Sequence, residues 1–330
     1  MVRLILLTPG LFLGRHGDYF VVKRGGVVVD KVVADGVEEI VIGGRGVLVS
    51  SDALRLAVEK GVDLVVLGPR GLPLGLLHHL RLSGLVAIRR EQLRAYDDER
   101  GLVLAKGFIE GRFYGMIYVL KRIIRRVDEE LALSIVEDIK QLLHDLRRIN
   151  AGRVEEVRDK LMSIEAHGAD KYWYAWRSII EGFPGRVHRG ARDPYNMALN
   201  YGYSLLYGEV LRAILRAGLD PLAGFLHSDR WGRLSLVYDL VEEFRHPIVD
   251  YVILREIVRR KWKPETRGQK LSHEARAKII ELINNRLDQR LANRTREAST
   301  LRDTILVQAH RIAEYVVGKT RSYKPFKMRA

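Results

Sequence analysis

Four side chains of this sequence have the types and spacing of a site for phosphodiester chemistry. Asp239 and Glu242 are three positions apart within residues 235–245, so on a helix their carboxylates project from neighbouring places on one face. His227 lies a few residues earlier, and Glu165 belongs to a preceding segment of helical periodicity. Together with Glu242 or Asp239, Glu165 and His227 would form a set of two carboxylates and one imidazole that suits Mg²⁺ or Mn²⁺, and the imidazole nitrogen favours Mn²⁺.

The same residues also allow simpler interpretations. Glu243 directly follows Glu242, so Asp239 and Glu242 could belong to a solvated acidic face. Glu165 lies between the apolar stripe and the polar side of its helix, and any of the many Arg and Lys residues could neutralise it in a salt bridge. His227 could be an ordinary surface residue of a loop, an acid–base group or a helix cap. The combination, rather than any single residue, favours a metal site.

The charge of the chain indicates the class of partner. Its 330 residues carry a formal net charge of +15, with a sequence pI near 9.9. Such a charge favours a polyanion, because each phosphate neutralised by Lys or Arg releases condensed counterions; a basic surface that serves only solubility is the alternative. Residues 1–88 have a net charge of +2 and residues 89–330 have +13. We therefore expect nucleic acid to bind the C-terminal part.

Several classes of site are excluded by composition and motif. The chain has no cysteine, which rules out disulfides, thiolate zinc sites and cysteine nucleophiles. Gly318, Lys319 and Thr320 resemble the end of a phosphate-binding loop, but Ala313 stands where its first glycine should be. No apolar run approaches the roughly 18 residues needed to span a bilayer, and no signal-peptide pattern is present. We expect a cytoplasmic protein without a membrane segment, whose chemistry needs no ATP.

The hydrophobic periodicity predicts an α+β fold in two domains. Residues 1–88 read as a small, mostly β domain, with a hairpin at residues 19–33, further strands at 37–42, 47–50 and 63–67, and a short helix capped by Ser51 or Asp52. From about residue 90 the apolar period becomes helical, which predicts a larger, all-helical catalytic domain over residues 101–318. Polar residues 89–100 are interpreted as a linker, and residues 319–330 as a basic tail that is mobile until it binds.

Caps and breakers locate the helices around the candidate residues. One helix is predicted over residues 154–180 and contains Glu165; another has Asp193 as its cap and Pro194 at its first position, and ends near Gly218. His227 then falls in a loop before a helix that begins near residue 235 and is kinked or interrupted at Pro247. Two more are predicted at 272–291 and 299–317. The aromatic residues of the first helix are a candidate base-stacking surface, although core packing is the usual role at such spacing: Tyr172, Trp173, Tyr174 and Trp176.

Four motifs follow one another in the second half of the chain. In order, they are Asp193-Pro194-Tyr195-Asn196-Met197-Ala198-Leu199-Asn200-Tyr201-Gly202-Tyr203-Ser204-Leu205-Leu206-Tyr207, Gly218-Leu219-Asp220-Pro221, Gly224-Phe225-Leu226-His227, and Ser235-Leu236-Val237-Tyr238-Asp239-Leu240-Val241-Glu242-Glu243-Phe244-Arg245. Together they resemble the CRISPR-associated protein one family, the integrase and nuclease of spacer acquisition. Two elements depart from the family pattern. Ala166 replaces the usual glycine after Glu165, and Gly111-Arg112 stands where the family has Gly-Lys.

The resemblance implies a function, partners and site residues. It implies metal ligands at Glu165, His227 and Glu242, with Asp239 able to assist or replace the last of these, and Mg²⁺ or Mn²⁺ as the metal. It also implies a homodimer, with dimerisation assigned to the N-terminal domain, that joins a small ferredoxin-like subunit of CRISPR adaptation. This assembly would insert short foreign DNA into a CRISPR array by transesterification, and with water as nucleophile it would be a DNA endonuclease.

Two other functions remain open at this point. A metal-dependent nuclease that repairs branched DNA would use the same site on double-stranded or branched DNA. A non-catalytic architectural DNA-binding protein would have Glu165 and Glu242 only in salt bridges, and it would keep its whole activity in EDTA. Gene neighbourhood would separate the integrase from the repair nuclease.

Overall fold

The computed structural model describes residues 2–68, 73–77, 85–228, 231–291 and 300–328. The chain divides into two compact units, Met1–Ser83 and Gly84–Ala330. The first unit is built from strands and one helix, and the second is mostly helical. The predicted α+β fold, with a small β-rich part followed by a larger helical part, is confirmed.

The first unit contains two four-stranded sheets and helix α1. One sheet has the order β1-β5-β7-β8, in which only β8 is antiparallel to its neighbour, and the other has the order β4-β3-β2-β6. A single apolar cluster combines residues of both sheets with residues of α1. The elements are β1 (Val2–Leu6), β2 (Leu11–His16), β3 (Tyr19–Arg24), β4 (Val27–Val33), β5 (Val37–Ile42), β6 (Leu48–Val49), α1 (Ser51–Lys60), β7 (Asp63–Leu67) and β8 (Pro73–Leu77).

Local turn and cap chemistry explains why this unit was predictable. Strands β3 and β4 form the expected hairpin, and Gly25 and Gly26 at its turn have φ values of 56° and 84°, which side chains other than glycine rarely adopt. Helix α1 is capped by Ser50, whose Oγ accepts a hydrogen bond from the amide of Ala53 at 3.1 Å. The predicted caps, Ser51 and Asp52, were therefore wrong by one or two positions.

The second unit packs nine described helices around one apolar core, together with a short hairpin that the sequence did not indicate. Within the described residues, no helix is both long and apolar enough to cross a membrane. The elements are α2 (Leu85–Tyr96), α3 (Glu99–Arg122), α4 (Glu129–Arg148), α5 (Arg158–Ile179), α6 (Pro194–Arg216), α7 (Ser235–Val241), α8 (Tyr251–Arg260), β9 (Thr266–Arg267), β10 (Lys270–Leu271), α9 (His273–Leu287) and α10 (Leu301–Val316).

The segment interpreted as a linker, residues 89–100, is instead helical. It comprises most of α2, and α3 begins at Glu99 after Asp98, which caps it. Gln92 and Ala95 are buried, with 1% and 0% of their surface exposed, while several neighbouring polar residues face solvent. The polar composition belongs to one face of an amphipathic helix, which explains the error.

The C-terminal tail is packed against the helical unit, which corrects the expectation that it is mobile. Gly318 ends the preceding helix region with φ 76°, as predicted. Tyr323 is buried, and the ring of Phe326 stacks on Phe244 with centroids 5.1 Å apart. Lys324, by contrast, is exposed. Residues 319–328 therefore turn apolar groups inward and keep basic groups in water; residues 329 and 330 lie outside the described part.

The chain between α7 and α8 is an interrupted helix, as the proline predicted. After Val241 the backbone makes short turns up to Phe244, and residues His246–Asp250 form a π-helix. Pro247 has no N–H, so it cannot donate to the carbonyl of Glu243 as an α-helix would require. π-Turns of this kind occur frequently at functional sites.

Candidate active site

Asp239 positions the loop that carries His227. Its carboxylate is fully buried in α7 and accepts hydrogen bonds from the amides of Phe225, Leu226 and His227 at 2.6, 3.0 and 3.0 Å. It also contacts Nδ1 of His227 at 2.7 Å. A carboxylate at Nδ1 holds the proton there, so Nε2 is the ring nitrogen that remains for a ligand or substrate.

The close approach of this loop to α7 requires a glycine. A Cβ atom at Gly224 would lie 2.7 Å from Cβ of Ser235 and 2.9 Å from Oδ2 of Asp239. Either distance is shorter than van der Waals contact allows, so a larger residue would push the loop away from its carboxylate anchor. The Gly-Phe-Leu-His sequence is thus explained by the packing of residues 224–227 on one aspartate.

Glu165 and Glu242 meet at one buried arginine. Nη1 of Arg112, on α3, donates to Oε2 of Glu242 at 2.6 Å and also contacts Oε1 of Glu165, on α5. Arg245 contacts the other oxygen of Glu242 at 3.0 Å. Glu242 has 3% of its surface exposed, so Arg112 and Arg245 interact with its carboxylate in surroundings of low dielectric constant. A guanidinium therefore holds side by side a carboxylate of α5 and a carboxylate of the turn that follows α7.

Glu242 is kept in its charged form. Burial alone would raise its pKa, but the positive charges of Arg112 and Arg245 and the nearby imidazoles of His227 and His246 outweigh burial, and the net pKa is lowered. The adjacent Glu243 behaves oppositely, because burial raises its pKa to about 7 against the hydrogen bonds that it accepts. Burial is thus outweighed at Glu242, which contacts two guanidinium groups, but prevails at Glu243, which accepts hydrogen bonds from Tyr323, Gln308 and the amide of Phe326.

These contacts decide between the interpretations of the acidic residues. Asp239, Glu242 and Glu243 are all buried, so the solvated acidic face is wrong. Glu165 does make a salt bridge, and its side chain retains 14% exposure. The partner of that salt bridge is also the partner of Glu242, so the bridge itself gathers the predicted residues into one place.

A layer of buried polar groups lies behind Arg245. Asp250 accepts hydrogen bonds from the hydroxyls of Tyr172 and Tyr203 at 3.0 and 2.5 Å and contacts Nδ1 of His246 at 2.6 Å. The guanidinium of Arg245 lies 4.9 Å from the ring centre of Tyr203. The π-helix therefore places the carboxylate of Asp250 where it binds the two tyrosine hydroxyls, and the ring of Tyr203 in turn contacts the guanidinium of Arg245.

The aromatic cluster of α5 is divided between core and surface. Tyr172 and Trp176 are fully buried, which corrects their assignment as base-stacking candidates. Trp173 is partly buried and contacts both of their rings at centroid distances of 5.0 and 5.2 Å. Tyr174, with 53% of its surface exposed, is the member of the four that still presents a ring to solvent.

Sequence reasoning did not assign a role to three residues that build this site. Arg112 was noted only as a departure from a family motif, although an arginine among the apolar and glycine residues of α3 was a signal that it is buried and paired. Gln92 bonds the loop before His227, through the carbonyls of Asp220 and Ala223 at 2.9 and 2.8 Å. Arg158 donates to the carbonyl of Phe225 at 3.2 Å. No local pattern marks these last two.

The donor chemistry of the cluster fits a divalent cation. Two carboxylates already converge on one positive group, and Asp239 directs the imidazole of His227 through its other nitrogen. In the part of the chain that the structure describes, no three His, Asp or Glu side chains are close enough to form a preassembled metal site. The predicted ligands are thus present as a carboxylate pair and a separately oriented imidazole.

The fold and site together define a class: a protein with a β-rich unit and a basic helical unit that buries a carboxylate and imidazole cluster. The family model described as CRISPR associated protein Cas1 matches residues 4–285. A protein of Archaeoglobus fulgidus named CRISPR-associated endonuclease Cas1 1 is 36% identical over 97% of this chain and 98% of its own. The chain therefore belongs to the Cas1 family.

Solved structures agree with this assignment at the level of the fold. A casposase bound to its integration product superposes with a TM-score of 0.81, at 25% identity, over 100% of this chain and 95% of its own. A chain of a Cas6-RT-Cas1–Cas2 complex gives a TM-score of 0.79 at 18% identity, over 100% of this chain and 36% of its own. The β-rich and helical units thus occur together in proteins of both kinds.

Proposed function

We propose that the chain is a metal-dependent DNA integrase and endonuclease of CRISPR adaptation, which inserts short foreign DNA into a CRISPR array. The observation that carries the proposal is the pair Glu165 and Glu242 on one buried arginine, together with an imidazole oriented by Asp239. Family membership supports the CRISPR role, and the likeness to a casposase bound to an integration product supports strand joining.

The proposed reaction exchanges one phosphodiester bond for another and so needs no energy cofactor. A 3′-hydroxyl of the incoming DNA attacks a phosphorus at the junction of leader and repeat. One P–O bond forms, the P–O bond to the 3′ oxygen of the array strand breaks, and the proton of the attacking hydroxyl ends on the departing oxygen. With water as the nucleophile the same exchange hydrolyses the strand, which gives the endonuclease activity.

Each residue of the cluster has a defined task in this proposal. Glu165, Glu242 and Nε2 of His227 would hold Mg²⁺ or Mn²⁺, and the bound cation supplies polarisation of the scissile phosphate and stabilisation of charge on the leaving oxygen. Asp239 retains the proton on Nδ1 and so keeps Nε2 an electron-pair donor. Arg112 holds the two carboxylates together before the cation and DNA bind.

Two basic surfaces of the helical unit are proposed to contact the DNA backbone. Near the end of α8, Arg255, Arg259 and Arg260 line an open groove together with Glu256, which contacts Arg255 and Arg260 at 3.6 Å. Several residues of the segment that follows α8 are exposed as well, including Lys261 and Lys263. The second surface is the outer side of the docked tail, with Lys319, Arg321 and Lys324 exposed.

Neutralising the exposed tail charges should weaken DNA binding of every sequence and flatten its salt dependence. Lys319→Gln, Arg321→Gln and Lys324→Gln together should reduce the slope of log K against log salt by about 2 to 3, because each lost phosphate contact removes about 0.9. Lys327 is left intact because it contacts Glu110 at 2.8 Å. The measurement is DNA affinity over a series of salt concentrations.

A matched control for this triple variant changes the same number of charges on the β-rich unit. Arg24, Arg45 and Arg55 are exposed there and are replaced by glutamine. The tail variant should have the smaller slope, because the net charge of the two variants is equal and only the location differs. Equal slopes for the tail variant and the parent would remove the tail from the DNA interface.

The assembly is proposed to be a homodimer bound to a small ferredoxin-like subunit, with double-stranded and branched DNA as its substrates. In the β-rich unit, the edge strand β4 exposes Val27, Val28 and Val29 by 68%, 52% and 55%. An exposed apolar edge strand commonly pairs with a second chain, which supports dimerisation through this unit. The likeness to a chain of the Cas6-RT-Cas1–Cas2 complex supports the second subunit.

The proposal is tested by incubating the purified protein with supercoiled CRISPR-array plasmid and short duplex DNA in Mn²⁺, with and without the small partner subunit. We expect covalent joining and nicking, both abolished by EDTA because the metal ligands are part of the site. A parallel reaction contains a branched duplex. Cleavage of this duplex, together with no joining whether or not the partner subunit is present, would favour the repair nuclease. DNA binding that is unaffected by EDTA, with neither reaction, would identify an architectural protein and overturn the proposal.

A further inference from the structure

Glu242 lies in a turn that lacks the regular hydrogen bonds of an α-helix. The amides of Glu242, Glu243 and Phe244 bond to carbonyls three residues earlier, at 3.2, 3.3 and 2.9 Å, rather than four residues earlier as in an α-helix. Pro247 then leaves the carbonyl of Glu243 without its α-helical donor. The regular hydrogen-bond ladder thus fails to fix this turn, and side-chain anchors must determine where the Glu242 carboxylate lies.

The anchor on one side of the turn is the C-terminal tail. Glu243 is fully buried and accepts a hydrogen bond from the hydroxyl of Tyr323. It also accepts from the amide of Phe326 at 2.7 Å and from Nε2 of Gln308 at 2.8 Å. Two of the three donors belong to the tail, so without it this buried carboxylate would keep only the bond from Gln308, which is costly at low dielectric.

Two glycines of helix α3 leave room for the ring of Tyr323 and the side chain of Glu243. A Cβ at Gly107 would lie 2.8 Å from the ring of Tyr323, and a Cβ at Gly111 would lie 2.6 Å from Cγ of Glu243. The next residue, Arg112, pairs with Glu242. One turn of α3 therefore contacts both neighbouring glutamates, with a glycine against Glu243 and an arginine against Glu242.

Further contacts fasten the tail beyond Tyr323. The rings of Phe326 and Phe244 are nearly parallel, with an interplanar angle of 13°. Lys327 contacts Glu110 at 2.8 Å and lies 4.4 Å above the ring of Tyr114, both on α3. The tail from residue 322 to residue 328 thus spans from the turn that carries Glu242 to the outer face of α3.

We propose that residues 322–328 form a strap that fixes Glu242 through its neighbour Glu243, and that Tyr323 is a positioning residue for the reaction. The inference rests on the proposed function, since it assigns Glu242 to the metal. The strap acts on catalysis through the position of a ligand, whereas the basic outer side of the tail acts on DNA affinity through charge. For comparison, loss of a group that hydrogen-bonds a metal ligand directly typically costs 10- to 100-fold in metal affinity or activity.

The test uses Tyr323→Phe in the full chain, which keeps the ring against Gly107 and removes only the hydroxyl bonded to Glu243. A second variant ends at Arg321 and removes the whole strap. Tyr19→Phe is the matched control, because its ring is exposed on β3 of the β-rich unit. Three quantities are measured: the Kd for Mn²⁺ from the electron paramagnetic resonance of the free ion, kcat for joining, and the KM for DNA.

For Tyr323→Phe we expect the Kd for Mn²⁺ to rise about tenfold and kcat to fall about tenfold, with the KM for DNA within twofold of the parent. The shortened chain should show a larger loss of both, and Tyr19→Phe should match the parent. A purely structural role for the strap would lower thermal stability and leave the Mn²⁺ affinity of the folded protein unchanged.

Two outcomes would overturn the inference. Parental Mn²⁺ affinity and kcat in both strap variants would show that Glu242 does not depend on the tail. A raised KM with unchanged Mn²⁺ affinity would show that the tail acts only as a DNA contact. If the parent itself neither binds Mn²⁺ nor joins DNA, the proposed function fails and the inference fails with it, which distinguishes that case from the first two.

Discussion

Replacing Glu165 by glutamine is expected to reduce joining and nicking by roughly 10³-fold, equal to about 4 kcal/mol of transition-state stabilisation. The amide has nearly the same shape but supplies no charge for a divalent cation. Glu165 is the better choice than Glu242, because Arg112 keeps its contact with Glu242 after the change and the fold should be retained. The measurement is single-turnover joining in Mn²⁺ together with DNA affinity, which should stay within a few fold of the parent.

The control for this substitution is Glu137→Gln, an exposed position on α4 that pairs with Lys140. It makes the same change of charge away from the cluster and should leave joining at the parental rate. His227→Ala should also abolish joining, because the oriented nitrogen is lost. Full joining by Glu165→Gln would reject the metal site. Inactivity of both Glu165→Gln and Glu137→Gln would indicate that joining is lost with any negative charge, wherever it lies, and not with a metal ligand in particular.

Arg112→Met is expected to lower the free energy of unfolding of the helical unit by about 3 kcal/mol. Removal of one partner of a buried ion pair leaves the other charge uncompensated, which typically costs 3 to 5 kcal/mol. The lower end is expected here because Arg245 still contacts Glu242. All four tryptophans of the chain lie beyond residue 84, so their fluorescence during urea unfolding follows the helical unit alone.

The double variant Arg112→Met with Glu165→Gln separates charge from packing. Methionine occupies part of the volume of the arginine, and the amide removes the charge that the single change strands on Glu165, while Arg245 still compensates Glu242. The double variant should therefore recover most of the lost stability. Neither variant should join DNA, because the carboxylate pair is dispersed or neutralised. A double variant that is less stable than Arg112→Met would show that the guanidinium acts through its packing rather than through the ion pair.

Elements with local signals were predicted well. The hairpin of β3 and β4 followed from two glycines between β-branched runs, and α6 begins with the expected cap Asp193 and with Pro194. Such signals act between residues a few positions apart, so sequence alone carries them. The linker error at α2 and the tail error have the opposite origin, because the burial of Gln92 and of Tyr323 depends on distant partners.

The candidate site divides in the same way. Glu165, His227, Asp239 and Glu242 were identified from residue type, spacing and family resemblance, and their roles as metal ligands remain a prediction. The role of Asp239 as the anchor of three amides was not predicted, because it depends on how the loop before α7 folds back. Arg112 is 130 residues from Glu242 in the chain, and no spacing rule connects them.

The sequence by itself determined the order and type of most elements, the basic character of residues 89–330, the absence of thiol chemistry and the family. These properties depend on composition and on interactions between near neighbours. Only the tertiary structure decided that Glu165 and Glu242 share a guanidinium, that Asp239 directs His227, and that the tail bonds Glu243. Each of these contacts requires polar groups from separate segments of the chain to be removed from water together. The contacts therefore stabilise the protein only once those segments have packed.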